Sequence, residues 1–187
     1  THSVEVACVG RSLATAVALR LKSKYAQEPW VGKLDAIGEI VAAGCLAHDL
    51  GNPPFGHSGE KSIATFFSEG AGSVLQNRLS PEQWADLTRF EGNANAFRLL
   101  THRFRGRRPG GFAMTYSMLA SIVKYPYESI LAVDKPKFGF FTSEKESFVK
   151  VAEELGMLSF PGPNGEVRYA RHPLVYLVEA ADDICYE

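Results

Sequence analysis

An all-α helical domain with one short β-hairpin is the fold this sequence predicts, and three observations lead there. Apolar residues recur at spacings of three and four through most of the chain, as on one face of a helix. Glycine and proline clusters cut that pattern into segments of helix length. Helix start signals stand at the heads of several segments, the clearest being the capping box Ser80-Pro81-Glu82-Gln83 with proline at the first helical position. The elements follow in order. Val6, Val9, Leu13, Val17 and Leu21 mark a first helix, with Arg11, Arg20, Lys22 and Lys24 facing elsewhere, broken by Glu28-Pro29 and Gly32. Leu34, Ile37, Val41 and Cys45 carry a second helix towards His48, where Gly44 and nearby alanines allow a neighbouring helix to approach. A short third helix fits 58–67, and a fourth runs from the capping box to Phe90. Another spans 90–102 and is followed by a basic loop, 103–111. Helical spacing resumes over 115–125. Ser143-x-x-Glu146 opens a helix with Phe148, Val151 and Leu155 on one face and Gly156 as its stop. The stretch 160–171, with Asn164-Gly165 in it, is the hairpin or a loop. His172-Pro173 then introduces a last helix from Leu174 beyond Tyr186.

Composition narrows the function classes. The chain has 187 residues, 45% apolar and 22% charged, enough for one domain with a substantial core. A formal net charge of −1 supplies no global field towards nucleic acid or membrane. Cys8, Cys45 and Cys185 are scattered in apolar periodic stretches and read as buried free thiols of a reducing, cytoplasmic setting. No apolar run approaches a membrane span, and no leader-like segment is visible. The ends, Thr1-His2 and Tyr186-Glu187, fall at and within helices, so the chain reads as a single domain cut from a longer protein.

The chemistry concentrates in residues 48–60, His48-Asp49-Leu50-Gly51-Asn52-Pro53-Pro54-Phe55-Gly56-His57-Ser58-Gly59-Glu60. Neighbouring side chains on a helix point roughly 100° apart, so an adjacent His-Asp pair shares one ion only where the helix ends. Gly51 and Pro53-Pro54 supply that ending. Asp182-Asp183 sit in a second apolar helix, where a carboxylate is costly unless paired or metal-bound. Imidazole and carboxylate together suit manganese, iron, cobalt or zinc, and an all-oxygen set would suit magnesium.

Four strings in order, Thr1-His2-Ser3-x-Glu5-Val6, the 48–60 segment, Phe90-Glu91-Gly92-Asn93-Ala94 and Glu179-Ala180-Ala181-Asp182-Asp183-Ile184-x-Tyr186, closely resemble the HD-domain deoxynucleoside triphosphate triphosphohydrolases, the dGTPase family. The resemblance implies an HD-domain helical bundle and one divalent metal ion, manganese or magnesium first, with iron, cobalt, nickel or zinc as further candidates. Its ligands would be His2, His48, Asp49 and Asp182. His57 and Glu60 would form the catalytic pair. Asn93, Lys124, Tyr125 and Lys135 would hold the triphosphate, and Tyr186 would stack under the deoxyribose. The substrate would be a deoxynucleoside triphosphate (dNTP), cleaved by water attack at the α-phosphorus into deoxynucleoside and inorganic triphosphate. A triphosphate carries about four negative charges, so lysines and an ion are needed before a nucleophile approaches. His57 would protonate the leaving 5′-oxygen while Glu60 orients its ring. The resemblance also implies a homo-oligomer; the arginines of the basic loop offer a site for a dNTP effector or single-stranded nucleic acid, and the composition points to no membrane partner. Asn52 stands where some members have a histidine, and it cannot relay a proton.

Each feature also has an ordinary structural explanation. Lys124 and Lys135 would be solvated lysines, Asn93 a turn or cap residue, Tyr186 a core residue, His172 a helix-entry residue and the basic loop a solvated one. Two other functions compete with the first: an HD phosphohydrolase acting on a monophosphate, cyclic nucleotide or alarmone, and a non-catalytic nucleotide-binding regulatory subunit.

Overall fold

The computed structural model describes residues 1–106, 111–162 and 165–186. Its α-helices are α1 (His2–Lys24), α2 (Ile37–Ala47), α3 (His57–Ser68), α4 (Pro81–Thr88), α5 (Gly92–Thr101), α6 (Tyr116–Ser121), α7 (Lys145–Glu154) and α8 (Pro173–Tyr186). The sheet among the described residues is an antiparallel hairpin of β1 (Ser159–Pro161) and β2 (Val167–Tyr169), with Phe160 opposite Arg168. The predicted all-α fold with one hairpin is therefore what forms. Residues 107–110 of the basic loop and 163–164 of the hairpin turn lie outside the described residues.

α1, α2 and α8 pack as a tight trio. The buried face of α1 is Val6, Ala7, Gly10, Ala14 and Ala18. Of the apolar stripe expected from sequence only Val6 is buried; Val9, Leu13 and Leu21 are half-buried and Val17 is exposed. Close approach explains the rotation. A Cβ on Gly10 would lie 2.5 Å from Cys45 Sγ and 3.4 Å from Ala181 Cβ, so only a small-residue face can meet α2 and α8 there. Gly44 plays the part expected of it: its Cβ would stand 2.4 Å from Ser121 Oγ of α6 and 3.3 Å from Val178 Cγ2 of α8. The thiols are free, but Cys45 alone is buried, and burial pushes it up to about 11. Cys8 is exposed because it falls on the outward face of α1.

The second core joins α5, α6 and α7 around Phe97, Met118, Leu119, Phe148 and Val151, with Phe140 stacked on Phe148 at 4.3 Å between centroids. Phe138, Phe140 and Phe141 bury the irregular stretch between α6 and α7, each contributing about 2 kcal/mol through apolar burial. Polar bonds fix the same stretch to α4: buried Asp86 accepts from Ser129 Oγ at 2.6 Å and from Thr142 N at 2.8 Å. Arg89 donates to the Ser129 carbonyl at 2.6 Å.

Helix boundaries moved for identifiable reasons. α6 stops at Ser121, with Ile122 as its C-cap, instead of reaching Tyr125, and Tyr125 precedes Pro126, a position that disfavours helix. α7 begins at Lys145, because Ser143 Oγ donates to Glu144 Oε2 and does not cap the helix. α4 ends at Thr88 and α5 begins at Gly92. The capping box forms as expected, and His172 Nδ1 accepts from Leu174 N at 3.3 Å, a helix-entry residue. No helix among the described residues is long and apolar enough to cross a membrane.

Candidate metal centre and acid–base pair

Three helices remote in sequence bring three donor atoms to one point. His2 opens α1, His48 follows the last residue of α2, and Asp182 lies in α8. Asp182 Oδ1 is 3.1 Å from His2 Nε2 and 3.3 Å from His48 Nε2. Among the described residues this trio is the one group of His, Cys, Asp or Glu whose donor atoms lie close enough to share an ion. Asp49 stands beside it, Oδ1 3.4 Å from His48 Nε2 and Oδ2 3.9 Å from His2 Nε2. The adjacent His-Asp pair can face one region because α2 gives way to a turn at residues 48–51.

The proton positions make this a cation-shaped site. His48 Nδ1 lies 2.7 Å from the Cys45 carbonyl, an acceptor only, so Nδ1 carries the ring proton. Nε2 then presents a lone pair, is buried and has no hydrogen-bond partner. A lone pair 3.3 Å from one carboxylate oxygen and 3.4 Å from another is repulsive, and positive charge at this point, a metal ion or a proton, relieves it. Two imidazoles and carboxylate oxygen form a donor set suited to a divalent transition ion.

The second histidine pair is local. Gly56 has a positive φ of 54°, as does Phe55 at 66°, and this tight turn starts α3 at His57. His57 Nδ1 donates to Glu60 Oε2 at 2.8 Å, one helical turn on, and the imidazole is 86% exposed while Glu60 is 12% exposed. Glu60 Oε1 accepts from Gly92 N at 2.7 Å, so the first turn of α5 supports the pair. Asn52 joins the two sites: its Nδ2 donates to Asp49 Oδ1 at 2.8 Å, and its Oδ1 lies 2.4 Å from where a Gly92 Cβ would stand.

The other residues singled out from sequence scatter more widely. Asn93 is the second residue of α5, and Glu91, not Asn93, is the cap, accepting from Asn93 N and Ala94 N. Asn93 Nδ2 donates to Glu91 Oε1 at 2.8 Å. Lys124 pairs with Glu179 Oε1 at 2.6 Å. Burial pulls its ammonium down, and the hydrogen bond and charge of Glu179 more than offset that, leaving it above its ordinary value. Arg171 binds the same carboxylate at 3.0 Å and lies over the Tyr125 ring at 5.5 Å, so Tyr125 and Lys124 share one cluster at α8. Lys135 is exposed. Tyr186 is 87% exposed and not a core residue.

Two residues passed over in the sequence stand at the centre of this geometry. Lys137 Nζ lies 2.7 Å from Glu91 Oε1 and 3.8 Å from Glu60 Oε2. Burial lowers its proton affinity, but the bond to Glu91 and the charges of Glu91 and Glu60 outweigh it and hold the ammonium above its usual range. Lys137 also lines an open cleft of about 440 Å³ with His57, Glu60, Lys61 and Arg89. An acidic residue between Phe90 and Gly92, and a lysine beginning the buried run Phe138-Gly139-Phe140, were the available signals.

Fold and site together define a class: an α-helical domain gathering a His/Asp cation site, with a histidine–carboxylate pair beside it. The HD domain family model matches residues 1–109, more than half of the chain, and the chain belongs to that family. The match holds His2, His48, Asp49, His57, Glu60 and Asn93; packing of α8 adds Asp182. The chain is 46% identical over 190 residues to the deoxyguanosinetriphosphate triphosphohydrolase-like protein of Pseudomonas aeruginosa, covering 100% of this chain and 41% of that protein. It is 42% identical over 204 residues to the like-named protein of Synechocystis sp., covering 99% and 44%. With the deoxyguanosinetriphosphate triphosphohydrolase of Serratia proteamaculans it shares 33% identity over 227 residues, covering 100% and 41%. The chain thus spans about two fifths of the length of these relatives.

Proposed function

We propose that these 187 residues form the HD-type domain of a metal-dependent dNTP triphosphohydrolase that releases deoxynucleoside and inorganic triphosphate. The observation that carries the reading is the orphaned, buried His48 Nε2, aimed at Asp182 and Asp49 with His2 alongside. His2, His48, Asp49 and Asp182 would hold one divalent ion, manganese or magnesium first. When bound, the ion would polarise a phosphoryl oxygen and supply charge that a triphosphate needs.

The chain's own residues do the rest. His57 is exposed to incoming substrate and, once protonated, gives its Nε2 proton to the departing 5′-oxygen. Glu60 holds Nδ1 so that Nε2 is left for the substrate. Asn93 and Lys137 donate to triphosphate oxygens beside this pair. Lys124 and Tyr125, in the stretch after α6 and tied to Glu179 and Arg171, would contribute beside α8, and exposed Lys135 from the loop before Lys137. Tyr186, four residues after Asp182 on α8, offers its open ring to the deoxyribose. The names of the relatives support the substrate class. A cytoplasmic, homo-oligomeric full-length protein, with a dNTP effector or single-stranded nucleic acid at the basic loop, belongs to the same reading.

Product analysis of the full-length protein with each dNTP, in manganese or magnesium, tests it. Deoxynucleoside and tripolyphosphate in equal amounts are the expected outcome. Release of monophosphate or single phosphates would shift the reading to another HD phosphohydrolase, and no turnover to a regulatory subunit.

A further inference from the structure

Glu91 is fully buried and all its acceptor capacity is used. Oε2 accepts from the backbone N–H groups of Asn93 at 2.8 Å and Ala94 at 3.3 Å. Oε1 accepts from Asn93 Nδ2 at 2.8 Å and Lys137 Nζ at 2.7 Å. Capping α5 requires only the two backbone bonds, and Ser, Thr, Asp or Asn is the usual residue for that. The longer glutamate brings two side-chain donors, from positions 44 residues apart, onto a single oxygen. The same turn touches the acid–base pair, since Gly92 N donates to Glu60 Oε1 and a Gly92 Cβ would come within 3.0 Å of that oxygen.

We infer that Glu91 is a positioning residue for triphosphate recognition: one buried carboxylate oxygen fixes Lys137 and Asn93 side by side, leaving their remaining N–H groups for a single polyanion. This rests on the proposed hydrolase reading and adds a residue to it. Lys137 keeps two of its three N–H donors and Asn93 one of its two amide donors after bonding Glu91. Glu91 itself is negative, so by charge alone it opposes an anion. Its removal should therefore tighten anion binding if it is mere background, and weaken it if it positions the donors.

The test is titration of inorganic tripolyphosphate into full-length protein at fixed free manganese, for wild type, Glu91→Gln, Glu91→Asp, Lys137→Met and the Glu91→Gln/Lys137→Met double variant. Glu91→Gln should weaken binding at least tenfold, and less than threefold in the Lys137→Met background. Glu91→Asp keeps the cap and the charge but is one methylene shorter; it should also lose at least tenfold, and it carries the test if Glu91→Gln does not fold. Equal or tighter binding by the single variants, the same fold-loss in both backgrounds, or no tripolyphosphate binding by wild type would each overturn the inference. Product analysis on the same wild-type sample keeps the two claims apart. Binding with this pattern but no dNTP turnover removes the hydrolase reading and leaves Glu91 in its role; turnover with an indifferent Glu91 does the reverse.

Discussion

The α1–α2–α8 trio and the α3 region hold histidines by opposite means. The trio is built on small residues: Gly10 and Ala14 of α1 against Val41, Cys45 and Ala181, all buried. It places His2, His48 and Asp182 through contacts spanning up to 180 residues. α3 has no buried residue, and His57 meets Glu60 three positions on. A shared ion needs donors arriving from several directions, which only long-range packing supplies. A proton donor needs access to solvent and substrate, and a short-range pair on an exposed helix gives that.

Substitution at each centre should separate the two most strongly. Asp182→Ala removes the oxygen common to both imidazoles, and is expected to abolish manganese binding and turnover together. His57→Ala should leave manganese affinity within twofold and lower kcat by about 10²–10⁴. Calorimetry with manganese and initial rates on the same samples check this pair. Near-normal turnover by His57→Ala would end its role as the acid.

The next effect falls on the joint between the regions. Gly51 follows Asp49 and lies against α5, where a Cβ would stand 2.1 Å from Gly92 O and 2.2 Å from Ala96 N. Both neighbours are backbone, so no side chain can yield. Gly51→Ala should cost about 3 kcal/mol in denaturant-measured stability and disturb both Asp49 and the turn that supports Glu60. A loss under about 0.5 kcal/mol would mean that this contact is looser than the geometry requires.

These contacts show what a sequence can carry. His48-Asp49 at a helix end is a local pattern that turn chemistry revealed; His57 and Glu60 lie one turn apart in the same segment, but their pairing came from the resemblance. The convergence of His2 and Asp182 was not in any spacing; it came from the resemblance of four strings. The buried face of α1 was misjudged because periodicity marks bulky residues, whereas the packing selects Gly10, Ala14 and Ala18. Glu91 and Lys137 escaped because their meaning lies in a bond across 46 positions. A local reading of Lys135-Pro136-Lys137 cannot say which lysine turns inward.

Chelation sharpens the same contrast at a smaller scale. An ion bound only by the folded trio stabilises it by about 2.7 kcal/mol at a hundredfold excess over Kd. Stripping it should speed amide exchange in α1 and α8 while leaving α4 and α7 nearly unchanged. Uniform loss of protection would mean that the trio and the rest of the domain unfold as one unit.

The smallest effect is a pH dependence near α8 that involves no ion. Burial lowers the proton affinity of His172 below the usual imidazole value, and its Nδ1 accepts the Leu174 N–H at the start of the helix. As pH falls below about 6.5 the unfolded chain takes up this proton before the folded one does. His172 therefore contributes fully above that pH, and its contribution drains away as pH drops through its lowered folded value. His172→Asn keeps an acceptor for Leu174 N without titrating. The variant should flatten the slope of stability against pH below about 6.5, measured on chelated protein for both. If the slope is unchanged, the helix entry is indifferent to protonation of His172.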